Sequence, residues 1–139
     1  MPGLDGPTTL PDAPISLAKR ICQAYVEKNR SAIEELLADD FRFSSPLDNH
    51  LDRGTYLTRC WPNNEVTVAL KFIHLAQDGD RAFITYELST RAGKVFRNTE
   101  VFTVRNGRIV EIEAYFGWSL PHEAPEGGFI DAPVMGRRF

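Results

Sequence analysis

The sequence lacks long apolar runs and blocks of like charge. Its 139 residues include 16 Lys and Arg and 19 Asp and Glu, which are spread along the chain and leave a net charge of -3. Since no basic block could neutralise a run of phosphates, nucleic acid is not an expected partner. No stretch approaches the roughly 20 apolar residues that cross a bilayer, and the first ten residues do not resemble a secretion signal. We therefore expect no membrane contact and a cytoplasmic location.

Cysteine is scarce, and common catalytic motifs are missing. Cys22 and Cys60 both fall in apolar helical patterns, which predicts buried free thiols rather than a disulfide. The sequence has no glycine-rich phosphate loop, CxxC pair, HExxH or GxSxG, so nucleotide, zinc and serine-hydrolase chemistry has no support. Asp48, His50 and Asp52 are spaced like metal ligands, but no distant fourth ligand is evident. We predict no metal site and no cofactor.

The length and the 42% hydrophobic content fit one domain around one core. Residues 1–14 contain four prolines and two glycines with little to bury, which predicts a flexible segment. Residues 15–120 are predicted to form the domain. The C-terminal tail, residues 121–139, carries scattered apolar side chains, which could close a pocket, pack on a second subunit or fray.

Apolar residues recur at helical spacing in three segments of the first half. The patterns predict a helix capped by Ser16 that runs to about Lys28, a second that begins at a Ser31–Glu34 capping box and ends near Asp39, and a third between Asp52 and Pro62.

The remaining domain residues alternate in the manner of β-strands. We predict a short strand over 41–45, an irregular loop over 47–51, and long strands over 66–76, 81–91, 94–105 and 108–118. Asp-Gly, Ala-Gly and Asn-Gly turns separate the long strands and favour an antiparallel meander. Helices followed by such a meander predict an α+β fold in which the sheet curls around the helices.

Four short segments together resemble a known family. They are Ala-Tyr-Val at 24–26, Leu-Ala-Asp-Asp-Phe at 37–41, Asn-Gly-Arg-Ile-Val at 106–110 and Glu-Ala-Tyr-Phe-Gly at 113–117. Their order and spacing resemble the nuclear-transport-factor-2-like superfamily, in particular its SnoaL-like branch of polyketide cyclases and ketosteroid isomerases. The resemblance covers about residues 15–120 and implies a cone-shaped, curved antiparallel sheet wrapped around three helices, a cystatin-like α+β barrel. It does not specify a reaction, because one fold hosts many chemistries.

Glu100 is the strongest candidate for chemistry. Period-2 alternation places it on one side of its strand with Phe96, Asn98 and Phe102, and we interpret this side as the concave face. Burial among apolar side chains would raise the pKa of the carboxyl and make it a proton donor or acceptor. The resemblance implies a general acid/base or an oxyanion donor at this position. The alternative is a rim glutamate that stays in water.

The resemblance implies a second donor and exposes one departure from the isomerase pattern. Tyr25 matches the tyrosine that polarises the substrate carbonyl in ketosteroid isomerases, although an aromatic on a helical stripe is also often core. The isomerase base is an aspartate just before a proline, and Ser45 takes its place before Pro46. Steroid isomerisation by the family mechanism is therefore not expected.

Other residues could supply the base. Asp48 or His50 could do so from the loop after Ser45. His74 would face the same side as Phe72 if alternation held along its strand, and it could form a proton-transfer pair with Glu100. The alternative for His74 is an ordinary core or interface residue.

Aromatic content favours a flat, apolar ligand, although core packing explains these residues equally well. The candidate ligand-binding residues are Asn98, Phe102, Phe116, Trp61, Phe83 and Trp118. We predict a SnoaL-like enzyme that performs cofactor-free isomerisation, cyclisation or hydration on a small apolar carbonyl compound. The alternative is a non-catalytic protein that binds a hydrophobic ligand or serves as a dimeric association module. The opposite sheet face, with Arg97, Val101 and Tyr115, is the predicted homodimer surface.

Overall fold

The computed structural model describes residues 13–127, so the predictions for residues 1–12 and 128–139 lie outside the described range. Within it, no helix is long and apolar enough to cross a membrane. The elements are α1 (Pro14–Glu27), α2 (Arg30–Leu36), β1 (Leu37–Ser45), β2 (Asp48–Asp52), α3 (Arg53–Arg59), a 3-10 turn (Trp61–Glu65), β3 (Thr67–Asp78), β4 (Arg81–Thr90), β5 (Val95–Arg105) and β6 (Arg108–Leu120).

The six strands form one open, curved sheet in the order β2-β1-β6-β5-β4-β3. The four long strands follow one another as the antiparallel meander that the turn dipeptides predict. The short strand β1 joins the far edge and pairs parallel to β6, while β2 pairs antiparallel to β1. The predicted α+β class is confirmed, and the cone-shaped arrangement of three helices on a curved sheet is confirmed with it.

The core lies between the helices and the concave side of the sheet. Leu17 and Ile21 of α1 pack there with Ile84 of β4 and Phe102 of β5, each at most 2% exposed. Each such side chain contributes about 1.5–3 kcal/mol when it leaves water. This packing holds α1 across β3, β4 and β5, beside a cavity that α1 lines together with α3 and the sheet.

Element boundaries differ from the sequence predictions in several places. The second helix ends at Leu36 rather than near Asp39, and β1 begins at Leu37 rather than Phe41. Helix α1 begins at Pro14 rather than Ser16, because proline suits the first helical turn, where no N–H is needed. Asn29 rather than Ser31 caps α2, its side chain accepting from the Ala32 N–H at 3.1 Å. The predicted loop 47–51 is largely strand β2, since the β1 edge offers it backbone partners.

Candidate active site

A cavity of about 840 Å³ opens between α1, α3 and the concave side of the sheet. Apolar side chains make most of its wall, among them Ile21, Leu70, Leu88 and Phe96. Two carboxyl groups line the cavity, in different places. Glu100 of β5 lies at the floor, and Asp48 of β2 lies at the mouth.

Glu100 projects into the cavity from the middle of the sheet. On its two neighbouring strands, Ile84 of β4 and Ala114 of β6 pair with it directly. Burial raises the pKa of Glu100 to about 7, and a hydrogen bond from Tyr86 acts in the opposite direction. A carboxyl group with this pKa exchanges its proton readily at neutral pH.

Tyr86 completes the floor. Its hydroxyl donates to Oε2 of Glu100 at 2.5 Å and accepts from the Asn98 amide nitrogen at 3.4 Å. The Asn98 amide oxygen accepts from the Gly117 N–H at 3.1 Å. Burial raises the pKa of Tyr86, and the adjacent Glu100 charge adds to this effect.

A pair of tyrosine hydroxyls lines the cavity beside the floor. The hydroxyls of Tyr25 on α1 and Tyr56 on α3 share a hydrogen bond of 2.8 Å. Burial raises the pKa of both phenols, and the charge of Glu100 raises each of them further. The two phenols therefore stay neutral at ordinary pH and can donate to a ligand oxygen.

The mouth is organised around Asp48. Its Oδ1 accepts from Arg59 at 2.8 Å and its Oδ2 accepts from the Ser45 hydroxyl at 3.1 Å. The carboxylate is 11% exposed whereas the arginine is 59% exposed. Arg59 thus supplies the positive charge that a shielded carboxylate needs. The serine at the isomerase-base position acts here as a donor to this carboxylate.

The loop spacing of Asp48, His50 and Asp52 does not bring three ligands together. Asp52 caps α3 by accepting from the Thr55 N–H at 2.8 Å, and His50 is exposed. Across residues 13–127, no three His, Cys, Asp or Glu side chains converge in a way that could hold a metal ion.

His74 lies on the outer side of the sheet and is exposed. A register shift between Phe72 and His74 reverses the alternation of β3: Phe72 pairs with inward-facing Tyr86, whereas His74 pairs with Thr85. The expectation that His74 shares a side with Phe72 is therefore wrong. His74 is not among the residues that line the cavity within the described chain.

The candidate ligand-binding residues divide into two groups. Asn98, Phe116 and Trp118 line the cavity, with Phe116 and Trp118 half exposed at its opening. The other three lie elsewhere. Phe102 is fully buried in the core, Trp61 packs edge-on against Tyr25 at 4.9 Å between ring centroids, and Phe83 faces the outer side, next to inward Ala82 and Ile84.

Tyr86 and Tyr56 are site residues that the sequence interpretation missed. A signal for Tyr86 was present, since β4 alternates with Ala82, Ile84 and Tyr86 on its buried side. Cys22 and Cys60 also line the cavity. Both are free and buried, as predicted, and burial raises the pKa of Cys60 to about 11, so this thiol is not a nucleophile at neutral pH.

A family model described as a SnoaL-like domain matches residues 18–112. The chain belongs to the SnoaL-like domain family. The predicted resemblance to the SnoaL-like branch of the nuclear-transport-factor-2-like superfamily is thereby confirmed. No curated protein sequence matches this SnoaL-like chain.

Solved structures share the SnoaL-like fold at low sequence identity. A provisionally named polyketide cyclase from Sinorhizobium meliloti is 23% identical, with a TM-score of 0.62 over 78% of this chain and 97% of its own. A provisionally named ketosteroid isomerase from Kribbella flavida is 18% identical, with a TM-score of 0.64 over 84% of this chain and 89% of its own. An M. tuberculosis epoxide hydrolase of the LEH-like type is 18% identical, with a TM-score of 0.62 over 74% of this chain and 81% of its own. At these identities the likeness concerns the fold.

Proposed function

We propose that this SnoaL-like protein is an enzyme that moves protons on a small apolar carbonyl compound, without a cofactor. The observation that carries the proposal is the carboxyl group of Glu100, whose pKa of about 7 is set by burial at the floor of a largely apolar cavity. The cavity volume of about 840 Å³ suits a ligand of drug or steroid size.

Glu100 and Tyr25 have complementary roles in the proposed reaction. Protonated Glu100 donates its proton toward the carbonyl oxygen, and the Tyr25–Tyr56 pair offers a second, neutral donor to the developing oxyanion. Asp48 is the candidate base for the adjacent carbon, because it is a carboxylate on the same cavity. Isomerisation, cyclisation and hydration all use this pairing of a proton donor and a proton acceptor.

Hydrogen–deuterium exchange at the carbon next to a ketone tests the proposal. Apolar cyclic ketones such as 2-tetralone would be incubated with the protein in deuterated buffer and followed by proton NMR. We expect faster exchange than in buffer alone, with a pH profile that inflects near 7. Glu100→Gln can still donate a hydrogen bond but cannot transfer a proton, so it should lose the acceleration. Glu35→Gln, an exposed change of the same type, should retain it.

A second candidate function is ligand binding without catalysis. The observation that favours it is the double engagement of Asp48 by Arg59 and Ser45, which occupies both oxygens of the proposed base. In this case the ketones would bind, as followed by protein chemical shifts, while their exchange rates stayed at the buffer value. That result would contradict the enzyme proposal.

The homodimer is likewise a proposal. Tyr115 of the outer sheet face is 57% exposed, which supports an association surface there. Sedimentation of Tyr115→Glu against the wild type tests it, and a dimer that survives this charge would argue against the outer face.

A further inference from the structure

We infer that Tyr86 is a positioning residue, which directs the reactive proton of Glu100 to Oε1, the oxygen left free for a ligand. This inference rests on the proposed acid/base role of Glu100. It starts from the Tyr86 hydroxyl, which donates to Oε2 of Glu100 at 2.5 Å. An oxygen that accepts this bond acts as the carbonyl oxygen of the protonated carboxyl, so the acid proton resides on Oε1.

The direction of the Tyr86 proton is itself determined by its neighbours. The Gly117 N–H can only donate, so the Asn98 side chain presents its oxygen to Gly117 and its NH2 group to Tyr86. Since the NH2 group is also a donor, the Tyr86 oxygen accepts from it, and the Tyr86 proton points to Glu100.

Backbone geometry anchors this hydrogen-bond chain. The register of β5 and β6 shifts between Phe96 and Asn98, where β6 accommodates Gly117 and Trp118. A Cβ atom at Gly117 would clash with the carbonyl oxygen of Arg97. Glycine is therefore required for the close approach that brings its N–H to Asn98.

No cation faces Glu100 within the described cavity floor to compete with Tyr86 for this role. The groups whose pKa values are raised by the charge of Glu100 are thiols and phenols from α1, α3, the junction between α3 and the 3-10 turn, and β4: Cys22, Tyr25, Tyr56, Cys60 and Tyr86. On β6 its partner is Ala114. Among the described residues, the bond from Tyr86 is the hydrogen bond that Glu100 receives.

The test is a carbon-13 NMR titration of the Glu100 carboxyl in the ligand-free protein, in wild type and Tyr86→Phe. The phenol stabilises the ionised form, so its removal should move the Glu100 midpoint upward by about 1 pH unit. The pH profile of ketone exchange should move in the same direction. Although more Glu100 is then protonated at pH 7, its proton is no longer directed to Oε1, so the rate at pH 7 should fall by about tenfold. Loss of packing alone would admit water to Glu100 and move its midpoint downward, the opposite of the expected shift.

Thr85→Val is the matched control, because it removes a hydroxyl from the neighbouring position of β4 that points to the outer face, where it bonds Thr99 at 2.7 Å, and it should leave both readouts unchanged. Asn98→Leu keeps Tyr86 but removes the NH2 group that fixes the direction of the Tyr86 hydroxyl proton. It should therefore lower the exchange rate less than Tyr86→Phe does. It also carries the test if Tyr86→Phe does not fold.

Unchanged Glu100 midpoints in Tyr86→Phe, or an unchanged exchange rate in folded Asn98→Leu, would overturn the positioning role. The failure of the proposed function would look different: Glu100 in the wild type would titrate near 4.5, or ketone exchange would not be accelerated.

Discussion

The floor and the mouth of the cavity hold two carboxyl groups in opposite circumstances. At the mouth, Asp48 is bound by a cation and a hydroxyl, Arg59 and Ser45. At the floor, Glu100 has a phenol as its donor, and burial brings its pKa to about 7. Burial favours the protonated form of Glu100, and its neutral phenol donor offsets only part of that effect. The floor is thus suited to donating a proton, whereas the carboxyl group at the mouth is held in place by its two partners.

The largest expected effect is on activity, and it tests whether the floor and the mouth of the cavity differ in their roles. Glu100→Gln should lower the ketone exchange rate by about 100-fold or more, since it removes the proton that is transferred. Asp48→Asn should cost less, about tenfold, because a substrate proton can also leave to water at the open mouth. Exchange rates of both variants at pH 7 check this. Equal losses would contradict the assignment of the main role to the floor.

A second prediction concerns stability and pH. The Glu100 pKa is about 7 in the folded protein and near 4.5 in a free side chain. Between these values the folded state keeps a proton that the unfolded chain has released, so the free energy of unfolding falls as pH rises, by up to about 3 kcal/mol. Glu100→Gln has no carboxyl group at this position, so its free energy of unfolding should not fall in this way. Above pH 7 it should be more stable than the wild type. Urea unfolding at pH 5 and pH 8 measures the difference.

The exposed variant Glu35→Gln controls for the loss of one charge. It should follow the pH dependence of the wild type. A Glu100→Gln protein whose stability also paralleled the wild type from pH 5 to pH 8 would show that Glu100 ionises normally.

The smallest expected effect compares two glycines, one behind each end of the cavity. Gly117→Ala should destabilise the protein by about 1–3 kcal/mol, because the new Cβ meets the Arg97 carbonyl at the bulge that supports the floor. Gly54→Ala in α3, the helix that leads to Arg59, meets only an Asp52 oxygen at 3.9 Å. It should be neutral or stabilise by up to about 1 kcal/mol, since alanine favours helix. Chemical denaturation of both variants checks the pair, and equal effects would argue against a special constraint at Gly117.

The fold was largely accessible from local patterns. Three glycine-containing turns and four alternating segments predict the meander, and helical spacing predicts α1 and α3. The start of β1 could not be predicted from local patterns. Leu37 continues the helical spacing of α2, but its pairing with Ile109 places it in the sheet. That pairing joins residues far apart in sequence, and local spacing contains no information about it.

For the candidate site, the sequence by itself determined that Glu100 shares a strand side with Phe96 and Asn98, because alternation is a property of any extended chain. It also placed Tyr25 on the buried stripe of α1. Tertiary structure alone decided what these groups meet. The β3 bulge turned His74 outward, and the pairing of β4 with β5 brought Tyr86 to Glu100. Strand register and bulges arise from packing between distant segments, so the partner of the acid was decided there.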